Sequence, residues 1–235
     1  IYKTTKVMVE VKNHYLLRIL YMPLLICAAT EFEILPTISF LKEKKINNAE
    51  VLITGIGLME STYRITKAVL SKRPDFIIQA GIAGCLDEAL PLTSIVLVKS
   101  EMIGDLGVLE SGIFKSVFDM KLADKNTEPY KNGLLTNNLG PLEQSGLTIV
   151  NGVTVNEITT DKQRICTYKK AGAQVESMEG AAIHYVGLME HIPFLQIRSL
   201  SNFAGERDKS KWVIKEAIWH LNLELEKLFS KFLKI

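Results

Sequence analysis

Short apolar runs alternate with stretches of helical periodicity along this chain, and this alternation constrains its fold more than any other feature. The runs have the length and composition of buried strands and span residues 24–29, 51–54, 76–80, 95–98, 147–155 and 194–199. Helical patterns lie between or after them, at residues 59–71, 161–171, 180–190 and 211–233. Strands that alternate with helices predict a layered α/β domain with a largely parallel sheet.

One domain accounts for most of the sequence. The chain has 235 residues, of which 47% are hydrophobic, enough for one well-buried core. We expect residues 22–235 to form this domain, because Leu24–Ala29 is typical of a buried first strand. Residues 1–21 are expected to be an extension outside the native core. The alternative is a signal peptide in which Arg18 precedes an apolar stretch, but Pro23 interrupts that stretch.

Composition argues against several classes of function. The net charge is +2 without a basic block, so nucleic acid is not an expected partner. The histidines lack ligand spacing and Cys27, Cys85 and Cys166 lie far apart, so neither a metal site nor a disulfide framework is expected. No run is long enough to span a membrane, so no membrane partner is expected. Unpaired cysteines favour the reducing cytoplasm.

Glutamates follow the first predicted strand, at a place where α/β sheets bind ligands. Ligands gather at the carboxyl ends of the strands in such folds. We expect one of Glu31 and Glu33, with Glu33 favoured, to face inward over a cleft and act as a general base toward water. The alternative is that both are solvated residues at the start of a helix.

Two glycine pairs, Gly55 with Gly57 and Gly81 with Gly84, follow later strands. A dinucleotide fingerprint would need a third glycine where Glu60 stands, so we expect no nicotinamide cofactor, and no other cofactor is indicated. We interpret the first pair as a tight turn and the second as a close backbone approach to a flat ligand.

Polar residues near the last predicted strands complete the candidate site. Glu179 begins a helix with small residues, which favours an ionised carboxylate, and such a carboxylate suits a sugar diol. Arg198 lies in a buried run and needs a carboxylate partner, for which Glu176 and Glu179 are candidates. Asn202 either caps a turn or reads the edge of a heterocycle with its amide.

Five short motifs, in this order, resemble the nucleoside phosphorylase and nucleosidase superfamily. They are Ala-Ala-Thr-Glu-Phe-Glu from residue 28, Thr-Gly-Ile-Gly from 54, Ala-Gly-Ile-Ala-Gly from 80, Val-Glu-Ser-Met-Glu-Gly-Ala from 175 and Ile-Arg-Ser-Leu-Ser-Asn from 197. The resemblance covers residue 22 to about 218. It implies a three-layer αβα fold with a central mixed sheet, a small-molecule nucleoside substrate and a homo-oligomer, either a dimer or a tetramer.

The resemblance also implies roles for individual residues. Glu33 becomes the general base, and Met178 and Glu179 lie at the ribose, with Glu179 on the diol. Asn202 joins Glu33 as a catalytic residue. Further substrate-binding residues are expected at Gly81, Ile82, Val155, Asn156, Glu176, Arg198 and Ser201. Ser177 is one residue more than the family pattern has between Glu176 and Met178, so the role of Glu176 stays open.

Departures from the family's motifs indicate the reaction. Phosphorylases of the superfamily carry Gly-Asp-x-x-Arg near the first strand, whereas an acidic loop stands here, which favours hydrolysis. Adenine-releasing members end the late strand in Ser-Asp, and this chain has Asn202 instead. An amide can donate to the 6-oxo group of hypoxanthine, which an ionised Asp would repel.

Together with residues 104–107 and 202–208, Asn202 makes the chain most similar to the futalosine hydrolases, which release hypoxanthine in menaquinone biosynthesis. The alternatives are a 5'-methylthioadenosine/S-adenosylhomocysteine nucleosidase, a purine nucleoside phosphorylase and a non-catalytic binding domain. Arg64 and Arg207 are the candidates for the far end of the substrate.

Overall fold

The computed structural model describes residues 23–138, 140 and 146–233. The expected extension at residues 1–21 lies outside the described residues. The strands are β1 (Leu24–Ala28), β2 (Ala49–Ile53), β3 (Phe76–Cys85), β4 (Ile95–Ile103), β5 (Gly107–Glu110), β6 (Ile113–Ser116), β7 (Leu135–Thr136), β8 (Thr148–Thr154), β9 (Val175–Ser177) and β10 (Phe194–Phe203). The α-helices are α1 (Glu31–Glu43), α2 (Leu58–Ser71), α3 (Lys162–Lys170), α4 (Gly180–Met189) and α5 (Ile214–Leu233), and a short 3-10 helix spans Lys209–Lys211.

The central sheet is mixed, and part of it closes on itself. β3 pairs in parallel with β10, β10 antiparallel with β4, β4 in parallel with β8, β8 in parallel with β9, and β9 antiparallel with β3. β1 extends the sheet from β3, and β2 follows β1, both in parallel. β5 and β6 form a separate antiparallel hairpin.

Helices cover both faces of the sheet, which confirms the predicted three-layer αβα fold. Successive side chains of β1 point to opposite faces, as the pleat requires. Leu25 and Cys27 pack in a cluster with residues of α2 and α4, whereas Ile26 packs in a second cluster with residues of α1 and α5. The alternate packing explains why β1 is apolar without interruption.

Several strands are longer than the apolar runs predict, and this changes the setting of two motifs. β3 continues to Cys85, so Gly81 and Gly84 lie inside a strand and not in a turn after it. β10 continues to Phe203, so Ser201 and Asn202 also lie inside a strand. Pairing along the whole length of β3 and β10, with a bulge before Asn202, satisfies the backbone of both segments.

Asn222 of α5 fastens the start of α1, a helix that the apolar pattern did not predict. Pro36 lies inside α1 and cannot donate a backbone hydrogen bond. The Asn222 amide oxygen accepts from the Thr37 N–H at 3.0 Å, and its amide nitrogen donates to the Glu33 carbonyl at 2.9 Å. An uninterrupted α-helix would join these same two backbone groups to each other. The buried amide therefore positions the backbone of Glu33.

The Asn222→Ala substitution should lower the free energy of unfolding by about 1–3 kcal/mol, because buried backbone groups of α1 lose their partner. Urea denaturation measures the change. Asn47→Ala, in an exposed loop position, is the matched control and should change stability by less than about 0.5 kcal/mol. Equal losses in both variants would contradict a role for the amide bridge.

Candidate active site

A cavity of about 360 Å³ opens where β1, β3, β9 and β10 end. Its volume lies in the range of small-molecule sites, and its wall is mainly apolar, with contributions from Phe32, Ile56, Ile82, Met178 and Trp212. Polar side chains enter it from the segment that follows β1, from β9 and the residues after it, and from β10 and the loop after it. They belong to Thr30, Glu33, Glu176, Ser177, Glu179, Ser201, Asn202, Glu206 and Arg207.

Glu33 is buried at this cavity, while Glu31 is exposed. The Thr30 N–H and hydroxyl donate to Glu33 Oε2 at 3.1 and 2.9 Å, and the Ile82 N–H donates to Oε1 at 3.1 Å. The carboxylate therefore caps its own helix and also holds β3. An ionised carboxylate has about four acceptor positions, so these three bonds leave room for one more donor.

Glu179 lies directly before α4 and is also buried. Its Oε1 accepts from the Gly57 N–H at 2.9 Å, and the Gln79 amide donates to its backbone carbonyl at 3.1 Å. Burial raises the pKa of Glu179, whereas the Arg198 charge and the Gly57 N–H act to lower it. Burial is thus a larger influence on this carboxyl than the helix start, from which an ionised carboxylate was expected.

Arg198 is buried but forms no direct ion pair among the described residues, contrary to expectation. Its Nη2 donates to the Gln79 Oε1 at 3.0 Å and its Nη1 to the Ile82 carbonyl at 3.4 Å. Neither Glu176 nor Glu179 is its hydrogen-bond partner. Gly81 makes room for this arrangement, because a Cβ there would lie 2.4 Å from Arg198 Nη1 and 3.0 Å from Glu33 Oε1. Gly81 thus accommodates these side chains, whereas we expected it to accommodate a flat ligand.

Glu176 lies on β9 and is buried at the cavity wall. Its Oε2 is enclosed and has no hydrogen-bond partner among the described residues. Burial raises the pKa of this carboxyl to about 7. A buried, unpartnered carboxyl in a cavity is unusual, because such groups are normally satisfied by hydrogen bonds.

Asn202 and Ser201 line the same cavity as a bonded pair. The Ser201 hydroxyl donates to the Asn202 Oδ1 at 2.8 Å, and the Asn202 Nδ2 donates to the Phe203 carbonyl at 3.1 Å. An amide nitrogen carries two hydrogens, so one remains for a ligand.

Four predicted substrate-binding residues are not among those that line the cavity: Gly81 and Arg198, whose contacts are given above, and Val155 and Asn156. The Val155 side chain is buried, and its N–H donates to the Ser177 carbonyl at 3.0 Å, so it supports β9 from behind. Asn156 is exposed and is held by Asp105, which accepts from its N–H and its amide. Their position directly after β8 indicated that Val155 and Asn156 lie near the site, but it did not show which way their side chains point.

The two candidate arginines differ in position. Arg207 lines the cavity, with its guanidinium 5.4 Å from the centre of the Trp212 ring. Arg64 forms an exposed ion pair with Glu60 at 2.7 Å and is not among the lining residues.

Sequence reasoning missed a buried polar network behind α4. Glu101 is fully buried, with Gln196 Nε2 donating to its Oε1 at 2.8 Å and the Thr154 hydroxyl to its Oε2 at 3.0 Å. Thr154 in turn accepts from the Ala181 N–H at 2.7 Å, at the start of α4. Burial raises the Glu101 pKa to about 7, against these hydrogen bonds and the Arg198 charge. Glu101 lies beyond the apolar run that predicted β4, so no sequence signal marked it.

The part of the chain that the structure describes contains no cluster of His, Cys, Asp or Glu side chains suited to a metal ion. Over the same residues, no helix combines the length and apolar character needed to cross a membrane.

Comparisons with known proteins converge on one superfamily. The family model described as "Phosphorylase superfamily" matches residues 37–235. Futalosine hydrolase from Thermus thermophilus is 30% identical over 186 residues, which cover 77% of this chain and 80% of that protein. A 5'-methylthioadenosine/S-adenosylhomocysteine nucleosidase from Staphylococcus aureus is 28% identical over 176 residues, covering 70% of this chain and 74% of that protein.

Solved structures share the fold. The native futalosine hydrolase of Helicobacter pylori matches with a TM-score of 0.72 over 88% of this chain and 97% of that chain, at 16% identity. At this identity the match supports the architecture alone.

The Glu101→Gln variant should change how stability depends on pH. The folded-state pKa of about 7 exceeds the ordinary value of 4.5, so the folded protein retains a proton that the unfolded chain releases. Glu101 therefore costs stability as pH rises from about 4.5 to about 7, and the cost is constant above that range.

Relative to the wild type, Glu101→Gln should gain stability over this interval and then keep a constant difference. Denaturant unfolding at a series of pH values measures the difference between the two proteins. Burial lowers the pKa of His184 to about 4, so His184 makes stability rise with pH over part of the same range. This contribution is the same in both proteins and cancels when their free energies of unfolding are subtracted. A difference that does not vary with pH would contradict the assignment.

Proposed function

The chain belongs to the phosphorylase superfamily, as its motifs predicted, and on that premise we propose that it hydrolyses the N-ribosidic bond of futalosine. The products are hypoxanthine and dehypoxanthine futalosine, and the reaction belongs to menaquinone biosynthesis. The observation that carries the proposal is that, in a cavity containing Glu33 and Glu179, the end of β10 presents the amide of Asn202 and not a carboxylate. The futalosine hydrolase relatives support it.

Glu33 acts as the general base in this proposal. Donors from Thr30 and Ile82 hold both oxygens of its carboxylate, so a water molecule at the remaining position on Oε1 is presented in a fixed direction. The carboxylate accepts a proton from that water as its oxygen attacks the anomeric carbon. Fixed geometry of this kind lowers the entropic cost of the reaction.

Glu179 binds the ribose diol. Its contact with the Gly57 N–H leaves further acceptor positions for the 2'- and 3'-hydroxyls. The transition state resembles an oxocarbenium ion, and a nearby carboxylate stabilises its positive charge. Met178 precedes Glu179 in the chain, also lines the cavity and packs against the sugar.

Asn202 recognises the purine. Ser201 occupies its amide oxygen, which orients the amide so that a hydrogen of Nδ2 is free for the 6-oxo group. Adenine carries an amino group at that position, so its N–H donors would face the N–H donor of Asn202 and no hydrogen bond would form. A site built for one hydrogen bond discriminates strongly against a base that cannot form it.

Hydrolysis is favoured over phosphorolysis by the charge of the cavity. The acidic side chains among the described lining residues are Glu33, Glu176, Glu179 and Glu206, and Arg207 is the basic one. A phosphate dianion would meet repulsion here unless a cation balanced it. Arg207 is better placed for the benzoate carboxylate of futalosine, because it lies at the edge of the cavity on Trp212.

The protein is further proposed to be a cytoplasmic homo-oligomer, a dimer or a tetramer. Leu109 and Ile113 on the β5–β6 hairpin and nearby Leu106 are exposed apolar residues that a second subunit could cover.

Incubation with futalosine, inosine and methylthioadenosine, without phosphate, tests the reaction and the base together. We expect hypoxanthine from futalosine and little adenine from methylthioadenosine. Asn202→Asp should shift the ratio of kcat/KM toward the 6-aminopurine by at least about tenfold, the equivalent of one hydrogen bond of about 1.5 kcal/mol. Chromatography of the free bases gives both results. Adenine as the main wild-type product would support the adenine-releasing nucleosidase instead, and a phosphate requirement would indicate a phosphorylase.

Glu33→Gln should reduce kcat for futalosine by about 10²–10⁴-fold, the usual contribution of a general base. Glu31→Gln is the matched control, because Glu31 lies two residues away on the exposed side of the same helix turn. Its turnover should stay close to that of the wild type. Near-normal turnover by Glu33→Gln would exclude Glu33 as the base.

A further inference from the structure

Departure of hypoxanthine requires a proton that Asn202 does not supply. Breaking the bond between the anomeric carbon and N9 leaves an electron pair on the purine, and protonation at N7 makes the base a better leaving group. An amide does not release a proton at neutral pH. Resting on the proposed hydrolysis of futalosine, we propose that Glu176, in its protonated form, is the general acid that protonates N7 of the departing purine.

Strand register places Glu176 and Asn202 on either side of one glycine. Gly84 of β3 pairs with Asn202 of β10 on one side and with Glu176 of β9 on the other. A Cβ at Gly84 would lie 3.7 Å from the Asn202 Nδ2 and 3.7 Å from the Glu176 Oε1. Both polar groups therefore stand over the same backbone position, which has no side chain of its own.

The distance between these groups restricts what they can contact. Each lies 3.7 Å from the same point, so Oε1 and Nδ2 are at most twice that distance apart. This is too close to grip opposite ends of a purine, but it suits two neighbouring atoms on one edge. O6 and N7 are such neighbours. With Asn202 donating to O6, Glu176 is the group available to N7.

Burial keeps a proton on Glu176. Oε2 is enclosed without a partner, and no arginine or lysine bonds to the carboxyl among the described residues. Removal from water raises its pKa to about 7, so an appreciable fraction is protonated near neutral pH. A general acid is most effective when its pKa is near the working pH.

The step balances with the two carboxyl groups in complementary roles. The Glu176 proton moves to N7 as the bond from the anomeric carbon to N9 breaks, and that electron pair goes to the purine. Water adds to the anomeric carbon and gives its proton to Glu33. Hypoxanthine leaves neutral, Glu176 is left ionised and Glu33 protonated, and exchange with solvent restores both.

Other titratable groups face Glu176 and enter any pH profile. Across the cavity stand Glu33 and Glu179, and the loop after β10 contributes Glu206 and Arg207. On α3, Tyr168 is close enough that the Glu176 charge helps to raise the pKa of its phenol, after burial and alongside Asp105. A pH limb is therefore assigned to Glu176 through a variant and not from the wild type alone.

The test compares two leaving groups in Glu176→Gln and in the wild type. With futalosine, kcat should fall by about 10²–10⁴-fold while KM changes little, because Gln can bind but cannot donate a proton. With 4-nitrophenyl riboside, whose leaving group needs no proton, the variant should stay close to the wild type. Glu33→Gln should be slow with both substrates.

The pH profile tests the general-acid role of Glu176 even if the nitrophenyl riboside is a poor substrate. Wild-type kcat/KM for futalosine should fall as pH rises through about 7, the pKa of Glu176. This limb should be missing in Glu176→Gln and present in Glu176→Asp, which keeps an acid and should recover part of the lost turnover. Thermal unfolding confirms that the variants fold.

Opposite outcomes separate this proposal from the proposed function. If the wild type releases hypoxanthine from futalosine but Glu176→Gln does so within about threefold of its rate, Glu176 is not the acid and the hydrolase assignment stands. An equal loss with both leaving groups, or a basic limb retained in Glu176→Gln, also overturns the role. If the wild type releases no hypoxanthine, the hydrolase assignment itself fails.

Discussion

The site depends on a change of neighbours along β3. The first part of this strand pairs with β1, from Phe76 to Gln79, and its last residues pair with β9, at Gly84 and Cys85. Between these two pairings the Ile82 N–H needs another acceptor, and Glu33 of α1 provides it. The Glu33 side chain thus completes the hydrogen bonding of β3 beside the cavity. On the other edge β10 follows β3 throughout, which brings Asn202 to the same end.

The second constraint is the number of carboxyl groups placed out of water around one buried cation. Among the described residues Arg198 donates to Gln79 and to the Ile82 carbonyl but to no carboxylate, so its charge acts on Glu101 and Glu179 without direct contact. Burial still dominates, and the pKa values of both acids are raised. This arrangement lowers the stability of the fold, since carboxyl groups are costly to remove from water. Buried acids with raised pKa values at a cavity and directly behind it are typical of a site that handles protons.

Periodicity predicted a layered α/β domain, most of its strands and the helices α2 to α5, and the family motifs added the three-layer αβα arrangement. The strands were recognisable because burial on both faces produces uninterrupted apolar runs. Periodicity failed where glycine and polar residues continue a strand: Gly81 and Asn202 were expected to lie beyond the ends of the strands, yet both are paired within them. Glycine at residue 81 reflects the approach of Arg198 and Glu33, a tertiary fact that no local pattern contains. The Val-Glu-Ser-Met-Glu-Gly-Ala motif predicted that Glu176, Met178 and Glu179 line the cavity, as they do. It did not reveal that Glu176 lacks a partner, because enclosure depends on three strands that are distant in sequence.

The bridge from Asn222 to α1 couples two segments that lie far apart in the sequence. The amide that holds the Glu33 carbonyl belongs to α5, 189 residues further along the chain. Ile218, one turn earlier on that helix, also lines the cavity. Local unfolding of α5 would therefore leave the sheet paired and yet remove both the partner of Glu33 and part of the cavity wall, so the shape of the site depends on the docking of this helix and not on the sheet alone.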